Sequence, residues 1–419
     1  MKRFVWSFAV LLAAALISSC SPAEPADPAD GSTPAAEQTA APENAASENA
    51  APLEEDAFDV PASMDEVRQR TIEYFNAMSA VKWIAPETMD YTASSKWTTH
   101  LVYEKGQTYY GIPYTSSRHP AASLEEFQSY LNADGLYTGP TDFKNLVGGD
   151  CGSMRRAWAY SGALCGYGMQ YADFEMFPKE SLRRGLPVVT EKVGEYDDSA
   201  FTHDTATYDS IMTVNGEETM YEAMALLKAC DLIGSRFQLN GIIAQHVRML
   251  VEDASVVRLG NGKIAPSKSY ITYSEQTSYV RTIDGKKTTW KLNVKETFQQ
   301  LFKDGYVPMT IASLKNETVT PPDMTASGFS KPENFASSPV LKGTVKCNYN
   351  ILTLTAEITD AQGNVVSSFV GYPYALTAIL SDYPLSTPVR DLPAGTYRFK
   401  AVAAIGFGEK TVAEFDFTK

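Results

Sequence analysis

Gly148-Gly149-Asp150-Cys151-Gly152-Ser153 is the stretch on which the reading of this chain turns. The positions that follow, Met154, Ala157, Trp158, Tyr160 and Ala163 among polar neighbours, predict a buried helix with Cys151 at its start. Orphan N–H groups and the macrodipole at a helix N-terminus favour thiolate over thiol. About ninety-five residues later, Gln245-His246-Val247-Arg248-Met249-Leu250-Val251 reads as a hydrophobic strand opening at His246. A thiol and an imidazole so placed form a nucleophile and base pair. Taken alone, each has a blander reading, Cys151 as a small core hydrophobe and His246 as a satisfied strand residue. The other histidines have weaker claims: His100 lies in Thr98-Thr99-His100, His119 precedes a proline, and His203 sits in an acidic loop.

Four short motifs occur in a telling order: Gly111-Ile112-Pro113-Tyr114, Asp150-Cys151, Ala229-Cys230-Asp231-Leu232-Ile233 and His246-Val247. In order and spacing, residues from about 105 to 310 resemble the NlpC/P60 superfamily, papain-like cysteine peptidases of the bacterial cell wall. The chain departs from the family pattern at three points. Gly152-Ser153 reverses the usual Ser-Gly, Arg248 replaces a small residue, and Thr115-Ser116-Ser117-Arg118 stands where Trp-Gly-Gly often follows Pro-Tyr. The resemblance implies an α+β, papain-like catalytic domain in which Cys151 attacks a carbonyl and His246 moves the proton. It also places an orienting group on the strand after the histidine, here Ser269-Tyr270-Ile271-Thr272-Tyr273-Ser274-Glu275-Gln276. Glu275 is the first choice, because a carboxylate both accepts an imidazole N–H and stabilises imidazolium; Ser267 and Gln276 are alternatives. Tyr114, Asp150 and Ser153 resemble positions lining the substrate cleft. The substrate implied is a peptide, foremost the stem peptides of peptidoglycan, and no metal or organic cofactor is implied.

The N-terminus reads as an export signal: Lys2 and Arg3, an apolar run from Phe4 to Ile17, then Ser18-Ser19-Cys20. It is too short for a good membrane span, and Cys20 at the cleavage point fits a lipoprotein signal. Residues 1–20 are therefore expected to be a signal peptide, with Cys20 lipidated to anchor the chain to a membrane. Residues 21–58, rich in Ala, Pro, Glu, Asp, Ser and Thr, bury too little apolar surface to offset ordering entropy and read as a tether. A formal charge of −14 argues against nucleic acid as a partner. Beyond Cys20 the cysteines are Cys151, Cys165, Cys230 and Cys347. With 151 to 165 in one helix the first two lie too far apart to bridge, and all four read as separate thiols. No CxxC or HExxH occurs, so no zinc signature is present.

The remaining chain is long enough for two domains. Ser63-Met64-Asp65-Glu66 and Ser123-Leu124-Glu125-Glu126 predict capped helices. Strands are expected over 102–110, 210–214, 231–237, 246–252 and 269–276, within a domain spanning 59–312. Residues 313–338 read as a Pro- and Ser-rich linker. Residues 339–419 alternate as in Leu352-Thr353-Leu354-Thr355-Ala356-Glu357-Ile358 and carry regular turn signals, which predicts a small β-sandwich resembling immunoglobulin-like or fibronectin-type modules. The rival functional reading is a non-catalytic surface binder with a hydrolase-like fold; a third is an amidase or acyltransferase on another amide or lipid.

Overall fold

The computed structural model describes residues 58–95, 97–116, 121–169, 189–199, 208–239, 242–338 and 340–419. The expected signal peptide with Cys20, and the tether up to residue 57, lie outside the described residues. Phe58, read as the tether's last residue, already packs against the C-terminal core, and the Asp59 N–H donates to Phe407 O.

Helix α1 (Met64–Ala80) starts where the sequence places its cap. Ser63 Oγ accepts the Glu66 N–H at 3.2 Å, and the Glu66 carboxylate accepts the Ala62 N–H at 2.7 Å. Its buried stripe is Val67, Thr71, Tyr74, Phe75 and Met78. Helix α2 (Leu124–Ser129) is capped in the same way by Ser123. The cysteine helix is shorter than expected: a 3-10 turn, Cys151–Ser153, runs into α3 (Met154–Ser161), which Gly162 ends at φ 86°.

These helices pack on an eight-stranded sheet. Its strands are β1 (Lys82–Ile84), β4 (Thr108–Tyr110), β5 (Thr190–Lys192), β6 (Leu232–Leu239), β7 (Ile242–Leu250), β8 (Tyr270–Ile283), β9 (Lys286–Thr297) and β10 (Val307–Ile311), in the order β1-β4-β9-β8-β7-β6-β10-β5. All neighbours are antiparallel except β4 and β9. The expected strand over 102–110 breaks at Gly106, leaving β3 (Val102–Tyr103) to pair with β2 (Met89–Asp90). Ser210 to Val214, expected as a strand, opens helix α4 (Asp209–Met224) instead. Tyr208, Ile211 and Met212 are buried at helical spacing while Val214 is exposed. The stretch 298–302 forms helix α5 (Phe298–Lys303).

The stretch expected to be a linker is structured. It contains β11 (Met324–Ser327) and α6 (Pro332–Phe335), whose Met324 and Phe335 enter the C-terminal core. That core lies between two sheets. One is β11-β12-β15, with β12 (Thr344–Ile351) and β15 (Ala375–Ile379); the other is β14-β13-β16-β17, with β13 (Thr353–Asp360), β14 (Val365–Gly371), β16 (Thr396–Ile405) and β17 (Gly408–Thr418). The chain is thus a mixed α and β protein with several sheets. Among the described residues no helix is long and apolar enough to cross a membrane.

The C-terminal sheets grip the end of α3. The Arg156 guanidinium lies 3.3 Å from the Tyr374 ring centroid, Gly166 N–H donates to Asn348 O at 2.7 Å, and Met169 N–H donates to the buried Asn350 Oδ1 at 2.8 Å. Gly406 passes so close that an added Cβ would stand 1.4 Å from Tyr160 O.

Candidate active site

The glycines before Cys151 are required by close approach. A Cβ on Gly148 would stand 2.4 Å from Pro113 O, and one on Gly149 would stand 2.3 Å from Ser153 Oγ. Their backbones pair with the Pro-Tyr segment: Thr115 N–H donates to Gly149 O at 2.8 Å, and Gly149 N–H to Pro113 O at 3.0 Å. This seats Tyr114 beside the cysteine turn. Tyr114 is buried in the core, where burial first, and the Asp150 carboxylate second, holds its hydroxyl well above the usual phenol range. Asp150 caps the turn, its Oδ1 accepting the Gly152 N–H at 2.7 Å. Ser153 Oγ donates to Gln276 Oε1 at 2.6 Å, and Gln276 Nε2 donates to Ile112 O at 2.9 Å. The three residues expected to line the cleft are therefore also parts of the frame that holds the turn.

His246 does not open its strand. It is the fifth residue of β7, with Ser235 of β6 opposite. Strand β7 pairs with β8 only through Met249 with Ser274 and Leu250 with Tyr273. The Cys151 turn packs against both strands. Successive side chains of β8 point to opposite sides; Gln276 takes Ser153, and Glu275 takes the His246 imidazole through Nε2. Of the three candidate orienting groups, Glu275 is the one joined to the histidine. Ser267 stands exposed in a turn.

Glu275 is the hub of a buried cluster that the sequence reading only half anticipated. Arg248 Nε lies 3.0 Å from Glu275 Oε2, Lys291 Nζ lies 2.7 Å from its Oε1, and Arg248 Nη1 reaches Glu296 Oε2 at 2.6 Å. The Arg248 guanidinium sits 4.3 Å and 4.1 Å from the Tyr273 and Tyr306 ring centroids. Arg248 entered the sequence reading only as a departure, and Lys291 and Glu296 not at all. The missed signal was cross-strand pairing, because Lys291 stands directly opposite Glu275. Burial pushes the Glu275 carboxyl up, but His246, Arg248 and Lys291 together outweigh it and hold the group well below the usual carboxylate range. His246 is pushed down, by burial first, against the pull of Glu275 and with the cations Arg248 and Lys291 adding to the depression. The cluster therefore holds a carboxylate and a neutral imidazole at neutral pH.

Of the four cysteines read as separate thiols, Cys165, Cys230 and Cys347 are free. Cys230 is buried, and burial pushes its thiol up to about 11, as befits a core residue. Among the described residues no group of three or more His, Cys, Asp or Glu is placed to hold a metal ion.

No family model and no curated protein matches the chain. Among solved structures it is similar to a tetra-tandem repeat in the extending region of a large adhesion protein, at 12% identity and a TM-score of 0.18, over 45% of this chain and 41% of that one. The chain thus spans less than half of that structure's length, and the likeness is too slight to define a fold.

Proposed function

We propose that this protein is a cysteine hydrolase of papain-like, NlpC/P60-type architecture, anchored to the bacterial cell surface through Cys20 and cleaving amide bonds in peptidoglycan stem peptides. The observation that carries this reading is the buried His246 to Glu275 hydrogen bond, which sets an imidazole beside an orienting carboxylate as the reading requires. Glu275 holds Nε2, so the reading requires Nδ1 to meet the thiol. In the reduced protein Cys151 Sγ loses its proton to that nitrogen and attacks the carbonyl carbon. The C–N bond then breaks, the imidazolium proton passes to the leaving amine, and water hydrolyses the thioester. The N–H of Cys151 supplies oxyanion stabilisation at the head of the turn.

A second reading, a surface binder that has kept the fold without turnover, is favoured by two observations. Ser153 of the cysteine turn and His246 contact successive β8 residues, Gln276 and Glu275, whose side chains point to opposite sides of the sheet, and Arg248 occupies Glu275 from the position where the family carries a small residue. The deciding experiment uses the full chain with reductant, Cys151 shown reduced by thiol labelling, on purified stem peptides. Cys151→Ala and His246→Ala should each remove nearly all turnover and Glu275→Gln less, since nucleophile and base act as a unit. Release by folded Cys151→Ala at the wild-type rate would refute the mechanism. No release from stem peptides or from any other wall fragment by the reduced wild type would favour the binder.

A further inference from the structure

A groove of about 660 Å³, lined in part by Lys291, runs between the C-terminal end of α1 and the hairpin of β8 and β9. That volume is typical of small-ligand sites. Trp290, Leu292 and Val294 give it an apolar wall, and Arg281, Lys286 and Lys291 bring three cations to it against the carboxylate of Asp284. On a chain whose formal charge is −14, a local excess of positive charge is a feature of the site and not of the composition. Only Lys291 of the three is committed, to Glu275 at 2.7 Å. Arg281 Nη1 donates to the Thr277 hydroxyl at 2.5 Å, and Lys286 stands 5.2 Å from the Tyr110 ring centroid. Neither forms an ion pair with a carboxylate among the described residues.

The second observation is a strand edge. Strand β9 pairs with β4 only through Lys287 and Thr288. From Lys291 to Val294, along the groove, its side away from β8 has no strand beside it among the described residues. An open edge offers backbone N–H and C=O groups that an extended peptide satisfies by adding as a strand.

We propose that this groove binds an extended acidic peptide, its backbone laid along the open edge of β9 and its carboxylate taken by Arg281 and Lys286. An extended polyanion such as nucleic acid is opposed by the charge of the rest of the chain. The groove's occupant is the substrate under the hydrolase reading and the ligand under the binder reading, so the assignment holds for either. Lys291 joins the groove to the site, because a ligand carboxylate that draws its ammonium away relaxes one of the two cations holding Glu275.

The test is calorimetric titration of the full chain, without turnover, with acetyl-Ala-Leu-Glu and with its uncharged twin acetyl-Ala-Leu-Gln-amide. The acidic peptide should bind at least tenfold tighter, and a version N-methylated along its backbone at least tenfold weaker than the parent. Arg281→Gln with Lys286→Gln should cost the acidic peptide at least tenfold and leave the twin unchanged. Lys286→Gln alone, at an exposed residue, should give a smaller loss of the same kind if the double variant does not fold. Equal binding of the two peptides, an undiminished variant, or no binding at millimolar peptide would overturn the proposal. Binding is read independently of hydrolysis, so loss of one result leaves the other standing.

Discussion

Glu275→Gln is the sharpest single perturbation of this molecule, because it keeps side-chain shape and removes only the charge on which His246, Arg248 and Lys291 converge. Glu275 and Arg248 are both buried, so the cations cannot be rehydrated without local opening. Removing one partner of a buried ion pair typically costs 3–5 kcal/mol, chiefly by stranding the other charge. Two features reduce that here. Arg248 keeps Glu296 at 2.6 Å, and Lys291, with its side chain 16% exposed, can turn toward water. The expected loss is therefore at the lower end, about 3 kcal/mol at pH 7, read as a shift of the urea midpoint at unchanged slope. The sign of the pH dependence follows from the direction of the shift. The folded carboxyl titrates well below its ordinary value, so its contribution is fully present above the unfolded pKa of about 4.3 and fades as pH falls toward the folded one. The gap between wild type and variant should thus be constant from pH 8 to about pH 6.5 and should have narrowed by pH 3, as Glu275 takes up its proton. His246, also depressed, adds an acid loss beginning near its unfolded value of about 6.5, and this one is larger in the variant, which lacks the pull of Glu275. A change under about 1 kcal/mol at pH 7, or a gap that does not narrow by pH 3, would refute the account of Glu275 as an ionised hub.

Gly406→Ala should destabilise by at least about 2 kcal/mol, as overpacking does, because the new Cβ meets Tyr160 O and must push apart α3 and the C-terminal sheets. Gly260→Ala, at a position with open space, is the control and should stay within about 0.5 kcal/mol of wild type in the same urea titration. Ser63→Ala removes the cap of α1 and should cost about 1 kcal/mol, whereas Ser63→Asp, which restores an acceptor, should recover most of it.

The sequence was most legible where one local rule decides. Ser63 and Ser123 cap helices because the hydroxyl three residues before Glu66 and Glu126 has few other partners to take, and both caps are present. The strands carrying His246 and Glu275 follow from β-branched and aromatic content, and the pairing of those two residues is realised. Legibility failed where tertiary contact overrides local pattern. Ser210 to Val214 reads as a strand until Tyr208, Ile211 and Met212 are seen to share one buried face. Residues 313–338 read as a linker by composition, yet the Met324 and Phe335 side chains are enough to fold β11 and α6 onto the C-terminal core. Domain contacts such as Gly406 on Tyr160 leave no mark in a one-dimensional pattern.

Arg248 shows how a departure from a family pattern changes the chemistry of the proposed site. A histidine beside an otherwise unpaired carboxylate gains a proton easily, and its imidazolium then favours a preformed thiolate. Here two permanent cations, Arg248 and Lys291, already face Glu275. A proton on His246 adds a third positive charge to a buried cluster whose remaining carboxylate, Glu296, is itself pushed up by burial. The imidazole is accordingly neutral at rest, and under the proposed hydrolase reading it would act as a general base in the step of attack, without a standing ion pair with the thiol. Weakening either cation moves the balance toward imidazolium. A peptide carboxylate that captures Lys291 does this without mutation, so ligand binding in the groove and basicity at His246 are linked through one lysine.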